Sequence, residues 1–161
     1  MIVVSNTSPI TNLAAINQLN LLQQLYSRII IPEAVTHELT NVGTIVPGAT
    51  EVQTFEWIQV QTITNRSTVI SLQLELDEGE AEAIALASEL KADLLLLDER
   101  RGYQVPSRYG LRVKGVLGVL IAAKSRRLIP AVKPVMDDLI GIAGFWVTEQ
   151  LYNRVLQMVS E

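Results

Sequence analysis

Cysteine is absent from the 161-residue sequence, and histidine occurs only once, at His37. The absence of cysteine excludes disulfide bonds and thiolate metal sites. With a single imidazole, the chain is also poorly suited to a histidine-rich zinc or non-haem iron site. Any metal ion is therefore expected to be bound by carboxylate, amide or imidazole groups.

Long apolar runs are missing as well. No stretch approaches the roughly 20 apolar residues of a membrane-spanning helix. The opening MIVVSN has neither a basic leader nor a long apolar run, which argues against a signal peptide. We therefore expect a soluble, cytoplasmic protein that does not bind a membrane. The length suits a single domain, residues 1–161, which can bury roughly 70% of the surface of its unfolded chain.

The formal net charge of −4 conceals a separation of charge along the sequence. Residues 100–136 contain nine basic residues and no Asp or Glu: Arg100, Arg101, Arg108, Arg112, Lys114, Lys124, Arg126, Arg127 and Lys133. Such a separation can create a basic surface for polyanions on an acidic protein. The same residues would also suit a solvated covering over helices, and charge alone does not distinguish these readings.

Short apolar runs alternate with segments of helical periodicity. Strands are predicted at residues 2–5, 28–31, 57–60, 93–97 and 111–113. Helices are predicted at residues 9–16, 19–26, 32–39, 78–91, 116–125, 130–140 and 148–159, with a further helical stretch before residue 57. Thr7 or Ser8 is predicted to cap the first helix. The alternation indicates an α/β domain with a mainly parallel sheet.

Helical angles separate the acids of "EGEAEAIALASELK". At 100° per residue, Glu80 shares a face with Ile84, whereas Glu78 and Glu82 lie nearly opposite. Glu80 is therefore predicted to point toward the packed side. A carboxylate there is costly unless it meets a cation or hydrogen-bond donors. The following run "ADLLLLD" is apolar on both faces, as expected of a central strand ending at Asp98.

Parallel topology predicts that several of these groups meet. Glu80 begins its helix at the sheet edge where Asp98 and Asn6 end their strands. Glu38, at the margin of the apolar stripe of its helix, lies on the order of 8 Å further along. If Glu38, Glu80 and Asp98 share a cleft, their repulsion requires a counter-ion, and oxygen ligands suit Mg²⁺ or Mn²⁺. Taken singly, each acid could instead be structural, as a helix cap or dipole partner.

The motifs, in order, are "VSNTSPI", "PEAVTHEL", "LDEGEAEAIALASELKADLLLLDER" and "GVLGVLIAAK". Together they resemble PIN domains, in particular a prokaryotic branch of toxin-like PIN proteins, over almost the whole chain. The resemblance implies a three-layer α/β/α sandwich and an Mg²⁺- or Mn²⁺-dependent ribonuclease acting on single-stranded or structured RNA. It also implies a toxin of a toxin–antitoxin pair, with an antitoxin protein as partner, and a homodimer.

Carried over position by position, the four acidic positions of the family are Asn6, Glu38, Glu80 and Asp98. Glu38, Glu80 and Asp98 are the implied catalytic residues, and all four are implied metal ligands. The family often places a hydroxyl residue directly after the first acid, which Thr7 or Ser8 supplies. Asn6 departs from the pattern because an amide brings no charge, so weakened activity is expected.

The basic residues Arg100, Arg101, Arg108, Arg112 and Lys114 are predicted to contact the nucleic-acid backbone, together with Thr7 and Ser8. The main alternative is an inactive PIN-like module that binds nucleic acid or protein, and Asn6 motivates it. A phosphoacceptor receiver-like domain is disfavoured because no later strand ends in a clear Lys. A Rossmann domain is disfavoured because "GVLGVL" does not follow the glycine pattern and no phosphate-binding loop occurs.

Overall fold

The computed structural model describes residues 1–41, 43, 45–98, 100 and 104–161. Within these residues, a five-stranded sheet has the order β3-β2-β1-β4-β5, and all of its strand pairs are parallel. The strands are β1 (Val3–Ser5), β2 (Ile29–Pro32), β3 (Ile58–Gln61), β4 (Leu94–Leu96) and β5 (Val113–Lys114). In the register of the sheet, Val4 of β1 lies beside Ile30 and Leu95.

The described residues also form ten helices: α1 (Thr7–Ala15), α2 (Asn20–Tyr26), α3 (Glu33–Thr40), α4 (Ala49–Thr54), α5 (Arg66–Leu72), α6 (Glu78–Leu90), α7 (Gln104–Arg108), α8 (Val116–Ser125), α9 (Lys133–Gly141) and α10 (Glu149–Met158). Among them, no helix combines the length and the apolar character needed to cross a bilayer.

Two hydrophobic cores lie on the two faces of the sheet. Alternate strand side chains point to opposite faces, so Val3 and Leu96 join one core, whereas Val4 and Leu95 join the other. The first core is completed by residues of α1, α2, α8, α9 and neighbouring segments, and the second by residues of α5 and α6. The arrangement confirms the expected α/β/α sandwich with a parallel sheet.

The observed elements follow the predicted alternation closely. All five predicted strands are present, with boundaries displaced by one or two residues. The sequence reasoning missed α5 and the short α7. It was also wrong about the cap of α1: the helix begins at Thr7, and Asn6 occupies the N-cap position.

Helix α6 is buried over most of its length. Every residue from Gly79 to Ala87 is buried, including the four alanines at positions 81, 83, 85 and 87. The prediction that Glu82 lies opposite the packed side was therefore wrong. Helix α6 packs against the sheet on one side and against α3 and α5 on others, so two faces of this helix are buried rather than one.

Candidate functional site

A cleft of about 200 Å³ lies at the carboxyl edge of the sheet, where β1 and β4 end. The chain places β2 on one side of β1 and β4 on the other. The strand order thus reverses at this point, which is where open α/β sheets bind ligands. The cleft is lined by polar residues from β1, α1, α3, α6 and β4: Asn6, Thr7, Ser8, Thr11, Glu38, Asp77, Glu80 and Asp98.

Asn6 contributes a buried amide side chain to the cleft, with 6% of its surface exposed. Its backbone N–H donates to the carbonyl of Leu96 at 2.9 Å, which ties the end of β1 to β4. Although Asn6 is the N-cap of α1, its side chain does not cap the helix. Its Oδ1 atom is buried without a hydrogen-bond partner among the described residues. An unsatisfied buried group of this kind costs about 1–3 kcal/mol.

The N-terminus of α6 forms the opposite wall. Asp77 is the N-cap, and its Oδ1 accepts a hydrogen bond of 2.9 Å from the Glu80 N–H. Glu80 lies in the first turn of the helix, with only 4% of its surface exposed. Acidic residues are stabilised at a helix N-terminus by the helix dipole. The local sequence Asp-Glu-Gly-Glu therefore explains both the start of α6 and the acidic character of this wall.

Glu38 reaches the cleft from α3. Its carboxylate accepts hydrogen bonds from the Thr7 hydroxyl and from the Gly79 N–H. A Cβ atom at position 79 would collide with this carboxylate, so the close approach requires glycine. Partial removal from water raises the pKa of Glu38; the hydrogen bond from Thr7 opposes the rise, and the negative charge of Asp77 adds to it.

Asp98 follows β4 and is already paired. The Arg100 N–H donates to its Oδ1 at 2.9 Å, and the Arg100 guanidinium lies 3.3 Å from its Oδ2. Ser8 Oγ donates to the same Oδ2 at 3.4 Å. Burial raises the pKa of Asp98, but the hydrogen bonds and charge of Arg100 outweigh it, so the pKa lies below its usual value.

The structure thus brings six of the predicted site residues to one cleft: Asn6, Thr7, Ser8, Glu38, Glu80 and Asp98. Sequence reasoning missed Asp77, Gly79 and Thr11. A signal was present for the first two, because Asp77 and Glu80 have the spacing of a capping box and the glycine lies between them.

The predicted basic track is only partly assembled. Arg100 contacts the cleft through Asp98, and Arg101 lies outside the described residues. Arg108 instead pairs with Glu75 at 2.6 Å on the surface. Arg112 is exposed, and Lys114 is half-buried at the carboxyl end of β5, with its aliphatic stem close to Gly118. None of Arg108, Arg112 and Lys114 lines the cleft.

The donor groups of the cleft fit a hard divalent cation, because carboxylate, hydroxyl and amide oxygens are its preferred ligands. Asn6 Oδ1, which has no hydrogen-bond partner in the part of the chain that the structure describes, is a further fitting donor. Within the described ranges, no three acidic or histidine side chains stand close enough together to hold an ion as they are. The Gly79 N–H donates a hydrogen bond to the Glu38 carboxylate, and the Arg100 guanidinium forms an ion pair with Asp98. Ion binding would therefore have to draw the carboxylates inward.

Comparison with known families gives one clear result. A family model of the PIN domain matches residues 2–161 of the chain. A comparison with curated proteins gives no match.

Proposed function

Since the chain belongs to the PIN domain family, we propose that it is a metal-dependent endoribonuclease that hydrolyses RNA phosphodiester bonds in the cleft between β1 and β4. The observation that carries the proposal is the buried Oδ1 of Asn6, which has no hydrogen-bond partner among the described residues and lies in a cleft with four carboxylate residues. A fold maintains an unsatisfied group at a cost, and a ligand that accepts its lone pairs removes that cost.

The proposed cation is Mg²⁺ or Mn²⁺. Glu80 and Asp98 would be the principal ligands, Glu38 a further ligand or water-positioning base, and Asn6 a neutral ligand. When bound, such an ion lowers the pKa of a coordinated water and offsets negative charge on the phosphate.

The chain's own residues would supply positioning and proton transfer. Glu38 has a raised pKa and hydrogen bonds from two sides, so its carboxylate is oriented to accept a proton from an attacking water. Arg100 lies at the cleft with its side chain 59% exposed. Its guanidinium can therefore pair with an RNA phosphate in place of Asp98, since arginine binds both groups with the same fork of donors.

Asn6 sets the expected level of activity. An amide oxygen contributes a dipole but no charge, so this position attracts a dication less strongly than a carboxylate there would. We expect activity to be greater with Mn²⁺ than with Mg²⁺, because Mn²⁺ binds such ligands more tightly.

The test is cleavage of single-stranded and structured RNA by the purified protein with Mn²⁺. Glu80→Gln and Asp98→Asn are expected to reduce the rate by at least about 100-fold. Glu56→Gln, a change in an exposed acid outside the cleft, is the matched control and should leave the rate unchanged. Absence of cleavage, or equal cleavage by all variants, contradicts the proposal. RNA binding without cleavage would indicate an inactive binding module.

We extend the proposal to a cellular role as the toxin of a toxin–antitoxin pair, with an antitoxin protein and a second copy of the chain as partners and the cytoplasm as location. The family resemblance supports this role. Induced expression should arrest growth for the wild type and not for Glu80→Gln. Equal growth with both proteins would contradict the toxin role, and light scattering of the purified protein would decide whether it is a homodimer.

A further inference from the structure

The cleft contains an acidic residue that the four-position pattern does not include. Asp77 lines the cleft together with Asn6, Glu38, Glu80 and Asp98. As the N-cap of α6 it lies three positions before Glu80 and two before Gly79. Its position in the sequence would ordinarily be explained by capping alone.

Two consecutive amides of α6 bring Asp77 and Glu38 together. The Gly79 N–H donates to the Glu38 carboxylate, and the Glu80 N–H donates to Asp77 Oδ1 at 2.9 Å. The two carboxylates therefore occupy neighbouring positions at one helix end. The negative charge of Asp77 also acts on Glu38, where it adds to the rise in pKa caused by partial burial.

Asn6 provides an independent sign that a ligand is needed here. The side chain lines the same cleft, has 6% of its surface exposed, and its Oδ1 is buried without a partner in the described part of the chain. The cleft thus combines one neutral group at the first position with one additional carboxylate on the α6 wall.

We propose that Asp77 is a cation ligand of this site and supplies the negative charge that Asn6 lacks. Asp77 would then hold the divalent cation together with Glu38, Glu80 and Asp98, with Asn6 Oδ1 as a neutral ligand. The cap bond does not itself prevent cation binding, because an ionised carboxylate has about four acceptor positions and a single N–H donor occupies one. The inference rests on the proposed metal dependence of the cleft.

The test is calorimetric titration of the wild type and four variants with Mn²⁺ as the probe. Asp77→Asn removes the charge but keeps a good N-cap residue, and it should weaken Mn²⁺ binding by about tenfold. Asp77→Ser, which also caps, should weaken binding equally. Glu78→Gln, one position along in the same helical turn, is the control and should change affinity by less than about twofold.

The double variant Asn6→Asp/Asp77→Asn returns the charge to the first position. Its Mn²⁺ affinity should recover to within about threefold of the wild type. Thermal unfolding in a chelator should show that Asp77→Asn and Asp77→Ser are folded. If one of them is unfolded, the Mn²⁺ affinities of the remaining Asp77 variant and of the double variant decide whether Asp77 is a ligand.

The outcomes separate this inference from the proposed function. If the wild type binds Mn²⁺ and cleaves RNA but Asp77→Asn and Glu78→Gln bind Mn²⁺ equally well, the role of Asp77 is wrong and the nuclease proposal stands. If the wild type binds no Mn²⁺, both are wrong. Failure of the double variant to recover affinity would also overturn the charge replacement.

Discussion

Two buried polar side chains near the first half of α6, one on each side of the helix, differ in whether their hydrogen-bonding groups have partners. On the side facing α3 and α5, Glu82 is 5% exposed and accepts hydrogen bonds of 3.0 Å from the Ala34 N–H and from Arg66. On the cleft side, Asn6 is equally buried, and its Oδ1 has no partner in the described ranges. Burial alone therefore does not distinguish the two groups. Their hydrogen bonding does, and an unsatisfied buried group is the one that calls for an explanation.

The comparison also assigns a structural role to Glu82. Its carboxylate binds the N-terminus of α3, the helix that carries Glu38, and holds that helix against α6. A satisfied buried carboxylate of this kind positions one wall of the cleft without lining it.

The largest expected effect is from Glu82→Ala. The substitution leaves the buried Ala34 N–H without a partner and removes the pair with Arg66, whose side chain is 53% exposed and can turn to water. We expect a loss of about 3 kcal/mol in the free energy of unfolding, measured by urea denaturation. Glu78→Ala, an exposed acid of the same helix, should cost about 0.5 kcal/mol or less. A loss below about 1 kcal/mol for Glu82→Ala would remove the contrast between the two sides.

Asn6→Asp should place a negative charge at the end of β1, where the wild type has a neutral amide. In a chelator, the added carboxylate has no cation to meet, and we expect a loss of about 2 kcal/mol in unfolding free energy. Mn²⁺ should reverse the loss and raise the melting temperature by more than it does for the wild type. Asn153→Asp, on the exposed surface of α10, should respond to neither reagent. Equal melting of Asn6→Asp and wild type in both solutions would contradict the assignment.

Gly79→Ala tests the close approach of Glu38. The new Cβ atom would take the place of the carboxylate, which lies at the end of a flexible side chain and can swing away. Stability should therefore change by less than about 1 kcal/mol, while Mn²⁺ binding weakens. Gly79→Ala and Glu38→Ala both act through the Glu38 carboxylate. Gly79→Ala should therefore have no further effect on Mn²⁺ binding when Glu38 is already alanine. Additive losses would show that Gly79 acts independently of Glu38.

The smallest effects concern pH, and they have opposite signs for two acids. Asp98 has a lowered pKa, so its contribution to stability is present above its ordinary pKa of 3.8 and is lost as the pH falls through the lowered value. Glu38 has a raised pKa, so its contribution is present below its ordinary pKa of 4.5 and is lost as the pH rises through the raised value.

Urea unfolding in a chelator between about pH 3 and about pH 7 would measure both contributions. The stability of wild type minus that of Asp98→Asn should rise with pH, and the corresponding difference for Glu38→Gln should fall. Each change should stay below about 1 kcal/mol, because both carboxyl groups are partly exposed and solvent screens them. Slopes of the same sign would contradict the description of the cleft.

Much of the fold was predictable because local patterns and topology agree. The strand-length apolar runs and the alternation with helices predict a parallel sheet, and the carboxyl ends of parallel strands must share an edge. That rule alone placed Asn6, Glu80 and Asp98 in proximity, as the cleft shows.

The errors arose where one helix has two buried faces. Angles around α6 separate Glu80 from Glu82, but they do not reveal that α3 and α5 cover the second face. Donors for Glu82 come from residues 34 and 66, far away in the sequence. Asp77 was missed for a related reason. In the sequence its position is already explained by helix capping, and its proximity to Glu38 arises only from tertiary packing.

The alanines of α6 have a consequence for the dimensions of the cleft. With methyl groups at Ala81, Ala83, Ala85 and Ala87, all at most 1% exposed, the helix axis can approach both the sheet and the outer helices closely. These small side chains keep the distance between α6 and its neighbouring elements short. A larger residue at any of them would shift the α6 wall outward and change the width of the cleft, without altering a single polar group.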